Sequence, residues 1–206
     1  CGRVSAGVCI RLYDEEDFGK RPAYSDPEIL RSSLAGVILR MKALRLGDVE
    51  SFPFIEAPPS RAISDGYQLL QELGAVTDER ALTPVGNELA KMPLDPRVAR
   101  MIVAARDEGC LKEMLVIAAA LTVQDPRERP QEKQGTADAA HKKFADEKSE
   151  FLSWLKLWHW YEGVLEHKKS QRKLVQACHA NFLSALRMRE WHDIHSQLRG
   201  LAAEHG

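Results

Sequence analysis

The side chains best suited to chemistry in this 206-residue chain cluster near its end. His167-Lys168-Lys169, followed by Arg172 and Lys173, is a basic run with the charge to meet phosphate oxygens, although a lysine-rich loop is more often simply solvated. Arg187, Arg189 and Arg199 form an alternative phosphate-facing set, and spacing alone does not choose between the two. His192 and His195 stand three apart on a helix and could share a metal. No third ligand is evident beside them, and Glu190 and Asp193 fit a solvated face, so no metal site is expected. Trp154, Trp158, Trp160 and Trp191 could stack nucleobases. Trp158 falls on an apolar stripe with Phe151 and Leu155 and reads as core, which leaves Trp160 as the tryptophan expected at the surface.

Other chemistry is excluded. No G-x-x-x-x-G-K-[ST] loop is present; Gly19-Lys20 lacks both the upstream glycine and the following Ser/Thr. There is no D-E-x-H, and Asp14-Glu15-Glu16-Asp17 reads as a surface turn. The four cysteines, at positions 1, 9, 110 and 178, have neither zinc-site nor disulfide-framework spacing, which suits a reducing cytoplasm. No apolar run approaches the length that spans a bilayer, so no membrane partner is expected. The chain begins at Cys1 and reads as a piece of something longer. Net charge is −1, which argues against binding nucleic acid by bulk electrostatics. The charge is uneven, however: residues 141–206 hold 11 Lys and Arg against 8 Asp and Glu, and all seven histidines and four tryptophans follow residue 140. That shift marks a candidate boundary near the 126–136 loop.

The elements that must position these groups are punctuated by proline and glycine. Val8, Ile10 and Leu12 alternate as a strand would. Asp26-Pro27 opens a helix with apolar Leu30, Leu34, Val37, Ile38, Met41 and Leu44, closed by Gly47. Pro58-Pro59 holds the chain extended, Ser60 is the expected N-cap of the next helix, and Gly74 ends it. Ala75–Thr77 and Ala81–Thr83 flank a polar turn and predict a small hairpin. Thr83-Pro84 and Asp95-Pro96 each supply an N-cap and a first-turn proline. Helix, hairpin and helix in this order is a winged-helix layout. Gly109 separates two apolar helices that must pack antiparallel. From Ala139 onward everything reads helical, with stripes at Phe151, Leu155 and Trp158, at Phe182 and Leu186, and at Trp191, Ile194 and Leu198.

With those residues in order, the chain resembles the C-terminal part of the DEAH-box helicases of superfamily two. Gly2-Arg3 and Gly7–Tyr13 are similar to the end of the family's Q-R-x-G-R-x-G-R motif and the strand after it. Glu28–Leu34, Phe52–Pro59, Leu73–Ala75, Leu82–Gly86, Met92–Pro96, Ile117–Val123 and Arg129-Pro130 follow at family spacing. Asn181–Ser184, Glu190-Trp191 and Asp193-Ile194 look most like the bacterial HrpA group. The resemblance implies a mostly α fold: a degenerate winged helix packed on a helical bundle (the ratchet, or helicase-associated, domain), with a short β-strand remnant of a RecA-like domain at the N-terminus. The parts expected are 1–25, the tail of the second RecA-like domain; 26–93, the winged helix; and 94–206, the ratchet.

The implied parent is an ATP-dependent RNA helicase that uses ATP and Mg, with Arg3 as the arginine finger on the γ-phosphate. The implied partners are single-stranded RNA, the RecA-like domains of the same chain and a protein activator. The piece itself is expected to bind no cofactor and hydrolyse nothing. It would brace the motor and help form the RNA channel, with Lys168, Lys169, Arg172, Lys173, Arg187 and Arg189 as the candidate RNA contacts. The winged helix is expected to be architectural, because the helix from Ser60 to Leu73 carries one basic residue, Arg61, beside Asp65 and Glu72. The alternatives are a free-standing winged-helix DNA-binding regulator and a protein-interaction scaffold.

Overall fold

The computed structural model describes residues 6–8, 10–22, 24, 27, 29, 33–167 and 170–205. The expected N-terminal strand does not form among them: Val8, Ile10 and Leu12 are exposed and unpaired in a sheet sense. A strand needs a neighbour to exchange main-chain hydrogen bonds with, and no described residue supplies one. The acidic run after it is not a turn but the first turn of a helix, α1 (Glu15–Lys20). Asp14 caps it by accepting from the Asp17 N–H at 2.6 Å, and the carboxylates of Glu15, Glu16 and Asp17 sit where the helix dipole favours them.

The winged-helix part is built on close backbone approach. α2 (Ala35–Ala43) buries Ala35, Ile38, Leu39 and Met41, and α3 (Ser60–Glu72) lays Ile63, Tyr67 and Leu70 against it. Gly66 lets the two helices touch: a Cβ there would lie 3.3 Å from the Ala35 nitrogen and 3.4 Å from the Leu34 carbonyl carbon. Ser60 turns out to be the first helical residue rather than the cap; Pro59 holds the cap position without a side-chain hydrogen bond. α3 stops at Gly74, whose φ of 68° closes a Schellman turn, the Ala75 N–H reaching back to Leu70 O at 2.8 Å. The hairpin then shrinks to a single bridge, Val76 to Leu82, with Thr77 N–H donating to Ala81 O at 2.8 Å.

Thr83 joins the hairpin to the next helix. Its hydroxyl donates to Gly74 O at 2.6 Å and accepts from the Gly86 N–H at 3.0 Å, capping α4 (Pro84–Ala90). Gly86 rests so close under the hairpin that a Cβ would fall 1.9 Å from the Ala75 carbonyl oxygen.

The bundle follows. Asp95 caps α5 (Pro96–Asp107) by accepting from Arg97 N–H at 2.9 Å, and Gly109 at φ 70° turns the chain into α6 (Leu111–Thr122). α7 (Gln134–His141), α8 (Glu150–His167), α9 (Gln171–His179) and α10 (Ala185–His205) complete it, with short 3-10 turns at Gln131–Lys133 and Lys142–Phe144. α6 is the axis, packed by α5, α8 and α10. Trp191 is wholly buried, its indole N–H donates to Val116 O at 2.9 Å, and Trp154 and Trp158 pack on its ring at 5.5 and 5.1 Å.

Two expected stripes shift. α8 buries Ser153, Trp154, Leu157, Trp158 and Tyr161, so its core face lies beside Trp158 as predicted but leaves Phe151 exposed. Phe182 precedes α10 rather than continuing its face, and Leu186 is 62% exposed. Trp160, expected at the surface, is half-buried, edge-on to Phe144 at 5.4 Å. No helix is long and apolar enough to cross a membrane, among the described residues.

The winged helix and the bundle are clamped together. Arg106, on α5, forms a two-pronged hydrogen bond to Glu88 on α4, with distances of 2.5 and 3.2 Å. Arg100 Nε donates to Leu73 O at 3.2 Å.

Candidate nucleic-acid interface

The segment after α6 organises the polar side of the bundle. Asp125-Pro126-Arg127 bends so that the Asp125 carboxylate accepts from the Arg127 N–H at 2.8 Å and holds its guanidinium at 2.8 and 3.1 Å. Glu150, at the start of α8, adds a 2.6 Å contact, and the guanidinium lies 4.5 Å over the Trp154 ring. Hydrogen bonding to Asp125, reinforced by Glu150, holds this half-buried arginine protonated even more firmly than usual. Pro126 is fully buried. On either side of it the main chain pairs with the turn between α9 and α10: Ser184 N–H to Pro126 O and Glu128 N–H to Phe182 O, both 2.8 Å.

An open cleft of about 710 Å³ lies over this segment, and most of its charges are already committed. Arg129 meets Asp138 at 2.7 Å, Lys156 meets Asp146 at 2.7 Å, and His141 Nε2 donates to Phe182 O at 3.0 Å. Lys156, above all, draws the Asp146 carboxyl below its usual range. Such a self-neutralised cleft has little left to offer a phosphate. Arg127 was not among the expected site residues; the Asp-Pro-Arg spacing, which permits the tight Asp–Arg loop, was the signal that could have found it.

The expected contacts separate into three kinds. Arg3, Lys168 and Lys169 lie outside the described residues. Arg187 is half-buried and donates to Asp125 O at 2.9 Å, which makes it a fastener for the same segment. Arg172 and Lys173, in the first turn of α9, and Arg189, on α10, are exposed and carry no salt bridge among the described residues. Two residues apart on one helix, Arg187 and Arg189 point to different sides and do not act as a pair.

A second cleft, about 530 Å³, runs between α6, α8 and α10 over Leu115, Leu155 and Trp158. Its rim mixes Lys112 and Arg199 with Glu113 and Glu162, so Arg199 faces the cleft in carboxylate company. His195 lies 4.5 Å from the Trp158 ring and His192 stacks on it at 5.9 Å, which makes the two histidines packing residues. Burial lowers the His195 pKa from its ordinary 6.5, with Glu162 opposing and Arg199 assisting. Burial likewise pushes the Tyr161 phenol up to about 12. No group of three His, Cys, Asp or Glu able to hold a metal occurs among the described residues.

The winged-helix surface is no more basic than expected. On α3, Arg61 stands 4.0 Å from Asp65, and at the wing Arg80 is bound by Glu50 at 2.7 Å and lies 4.2 Å over the Tyr67 ring.

Comparison with known proteins matches these two packed parts in order. Residues 67–94 match the family "Helicase associated domain (HA2), winged-helix", and residues 95–159 match "Helicase associated domain (HA2), ratchet-like". The chain is 51% identical to the ATP-dependent RNA helicase HrpA of Escherichia coli K12 over its whole length, and 52% identical to the HrpA homolog of Haemophilus influenzae over 97% of it. It is 36% identical, over 89% of its length, to the human probable ATP-dependent RNA helicase DHX35. The chain spans 16% of each bacterial relative and 25% of the human one.

Proposed function

We propose, for a chain that belongs to the DEAH-box RNA helicases as the helicase-associated region of an HrpA-like member, that it braces a nucleotide-driven motor and walls part of its single-stranded RNA channel. The observation that carries the bracing role is the clamp between its two parts. Arg106 on Glu88 and Arg100 on the Leu73 carbonyl tie the winged helix to the bundle at two points, as a rigid support requires. The chemistry of ATP and Mg belongs, in this reading, to RecA-like domains of the parent, since this sequence has no phosphate-binding loop. Arg3 would complete that nucleotide site as an arginine finger, stabilising the charge that spreads over the transferred phosphoryl group. Arg172, Lys173 and Arg189, with Lys168 and Lys169, would hold RNA phosphates, and Arg187 would keep its structural post.

The test is binding of the purified chain to fluorescent oligouridylate across a salt series, beside an ATPase assay. Binding should weaken steeply with salt and no ATP should be hydrolysed. Substituting Arg172→Ala with Lys173→Ala should reduce the salt slope by about 1 for each phosphate no longer held, whereas Arg187→Ala should leave the slope alone. Absence of RNA binding at low salt would remove the channel role.

A further inference from the structure

Phe182 is placed as no core phenylalanine needs to be. It follows α9 at the position that ends a Schellman turn: Leu183 N–H donates to Cys178 O at 3.0 Å and Phe182 N–H to His179 O at 3.1 Å. The position requires a left-handed backbone, and Phe182 has φ 52°. Three other helix ends among the described residues make the same turn, two with glycine, Gly74 and Gly109, and one with the unbranched, exposed Arg45 at φ 55°. An aromatic residue there is strained, and strain of this kind persists where the surroundings impose it. Here they do, because the Phe182 carbonyl accepts from Glu128 N–H at 2.8 Å and from His141 Nε2 at 3.0 Å.

The fixed backbone does not serve to bury the ring. Phe182 is only half-buried, belongs to neither the core nor the partly buried apolar residues packed on it, and makes no aromatic contact among the described residues. It lines an open concavity of about 550 Å³ with Pro130, Gln131, Glu132 and Lys133. The Lys133 ammonium has no hydrogen bond or ion pair among the described residues.

We propose that Phe182 is a nucleobase-stacking residue for single-stranded RNA, with Lys133 on the adjoining phosphate. This rests on the RNA-channel reading above and adds a contact of a different kind. A half-exposed aromatic face beside an uncommitted cation is what a sequence-tolerant strand contact requires, since every base has a π-face. The locked backbone holds the ring in place before the strand arrives, so little ordering remains to oppose binding.

Glycine at this position separates the roles, because it relieves the strain while removing the ring. The 206-residue chain and its Phe182→Gly variant are titrated with an oligouridylate of about twelve nucleotides and melted in parallel. The expected result is affinity reduced about tenfold with a melting temperature that does not fall. Photo-crosslinking with 5-iodouridine in the same oligonucleotide should attach to the peptide containing Phe182, and Lys133→Ala should lower affinity and salt slope together. Unchanged RNA affinity in Phe182→Gly, with the parent chain binding normally, overturns the stacking role alone and leaves the concavity to a protein partner. A lower melting temperature with unchanged affinity shows the ring to be structural and also overturns it. Failure of the parent chain to bind RNA removes both readings.

Discussion

The winged-helix part and the bundle reach a buried core by opposite means. In the first, backbones touch: Gly66 sits on the start of α2 and Gly86 under the hairpin carbonyl, so the fit depends on side chains that are absent. In the second, bulk fills the space: three tryptophans meet around α6, and an arginine network closes the polar side. The first design tolerates no added atom, and the second tolerates no lost one. Substitutions at each should therefore fail for opposite reasons.

The largest effect is expected at Gly86→Ala. A Cβ 1.9 Å from a carbonyl oxygen forces the hairpin off α4, and we expect a loss of about 4 kcal/mol or more, read by urea denaturation. Gly66→Ala sharpens the comparison, because its closest contact is the movable Ile38 Cδ1 at 2.8 Å and the loss should be clearly smaller. In the bundle, Trp191→Ala should cost about 3–5 kcal/mol, while Trp191→Phe, which keeps most of the bulk, should recover much of that. If Gly86→Ala proved milder than Trp191→Phe, the contrast between the two designs would be wrong.

Arg127→Met is next. Removing the guanidinium leaves Asp125 and Glu150 facing each other over Trp154, and about 2 kcal/mol should be lost. Thr83→Ala removes a cap and a hydrogen bond to Gly74 O together, for about 1 kcal/mol. The smallest effect is one of pH. Burial lowers the His195 pKa, so the unfolded chain takes up this proton more readily than the folded one. Its contribution is complete above the ordinary value of 6.5 and is lost as pH falls through the lowered folded value. Melting curves of His195→Gln should lose that part of the acid sensitivity. A variant with an unchanged pH profile would show that His195 is not charged on unfolding in the way its burial implies.

The same contrast explains what the sequence made legible. Close backbone contact needs glycine and proline at fixed places, so Thr83-Pro84, Asp95-Pro96, Gly74 and Gly109 announced their turns correctly. Ser60 slipped by one position because Pro59 already holds the extended geometry a cap requires. Bulk packing leaves no such marks. Trp154 and Trp160 differ only in which neighbour their helix face meets, and that is decided by Trp191, Val116 and Phe144 from elsewhere in the chain. The candidate site was half-visible for a related reason. Exposed Arg172, Lys173 and Arg189 could be read as free charge, but the engagement of Arg187 and Arg127 depends on a loop about sixty residues away from one and next to the other. Phe182 gave no signal, because a left-handed aromatic is visible only in the backbone.

The pairing of Pro126–Glu128 with Phe182–Ser184 gives two irregular stretches the behaviour of a ladder. Their amide protons, Glu128 and Ser184, are hydrogen-bonded across the molecule, and their exchange with solvent requires this pairing to open. In deuterium uptake these two positions should retain protium for as long as the helices beside them, although by shape they are coil. The slow protons of this molecule would thus trace a seam where distant parts of the chain are stitched together.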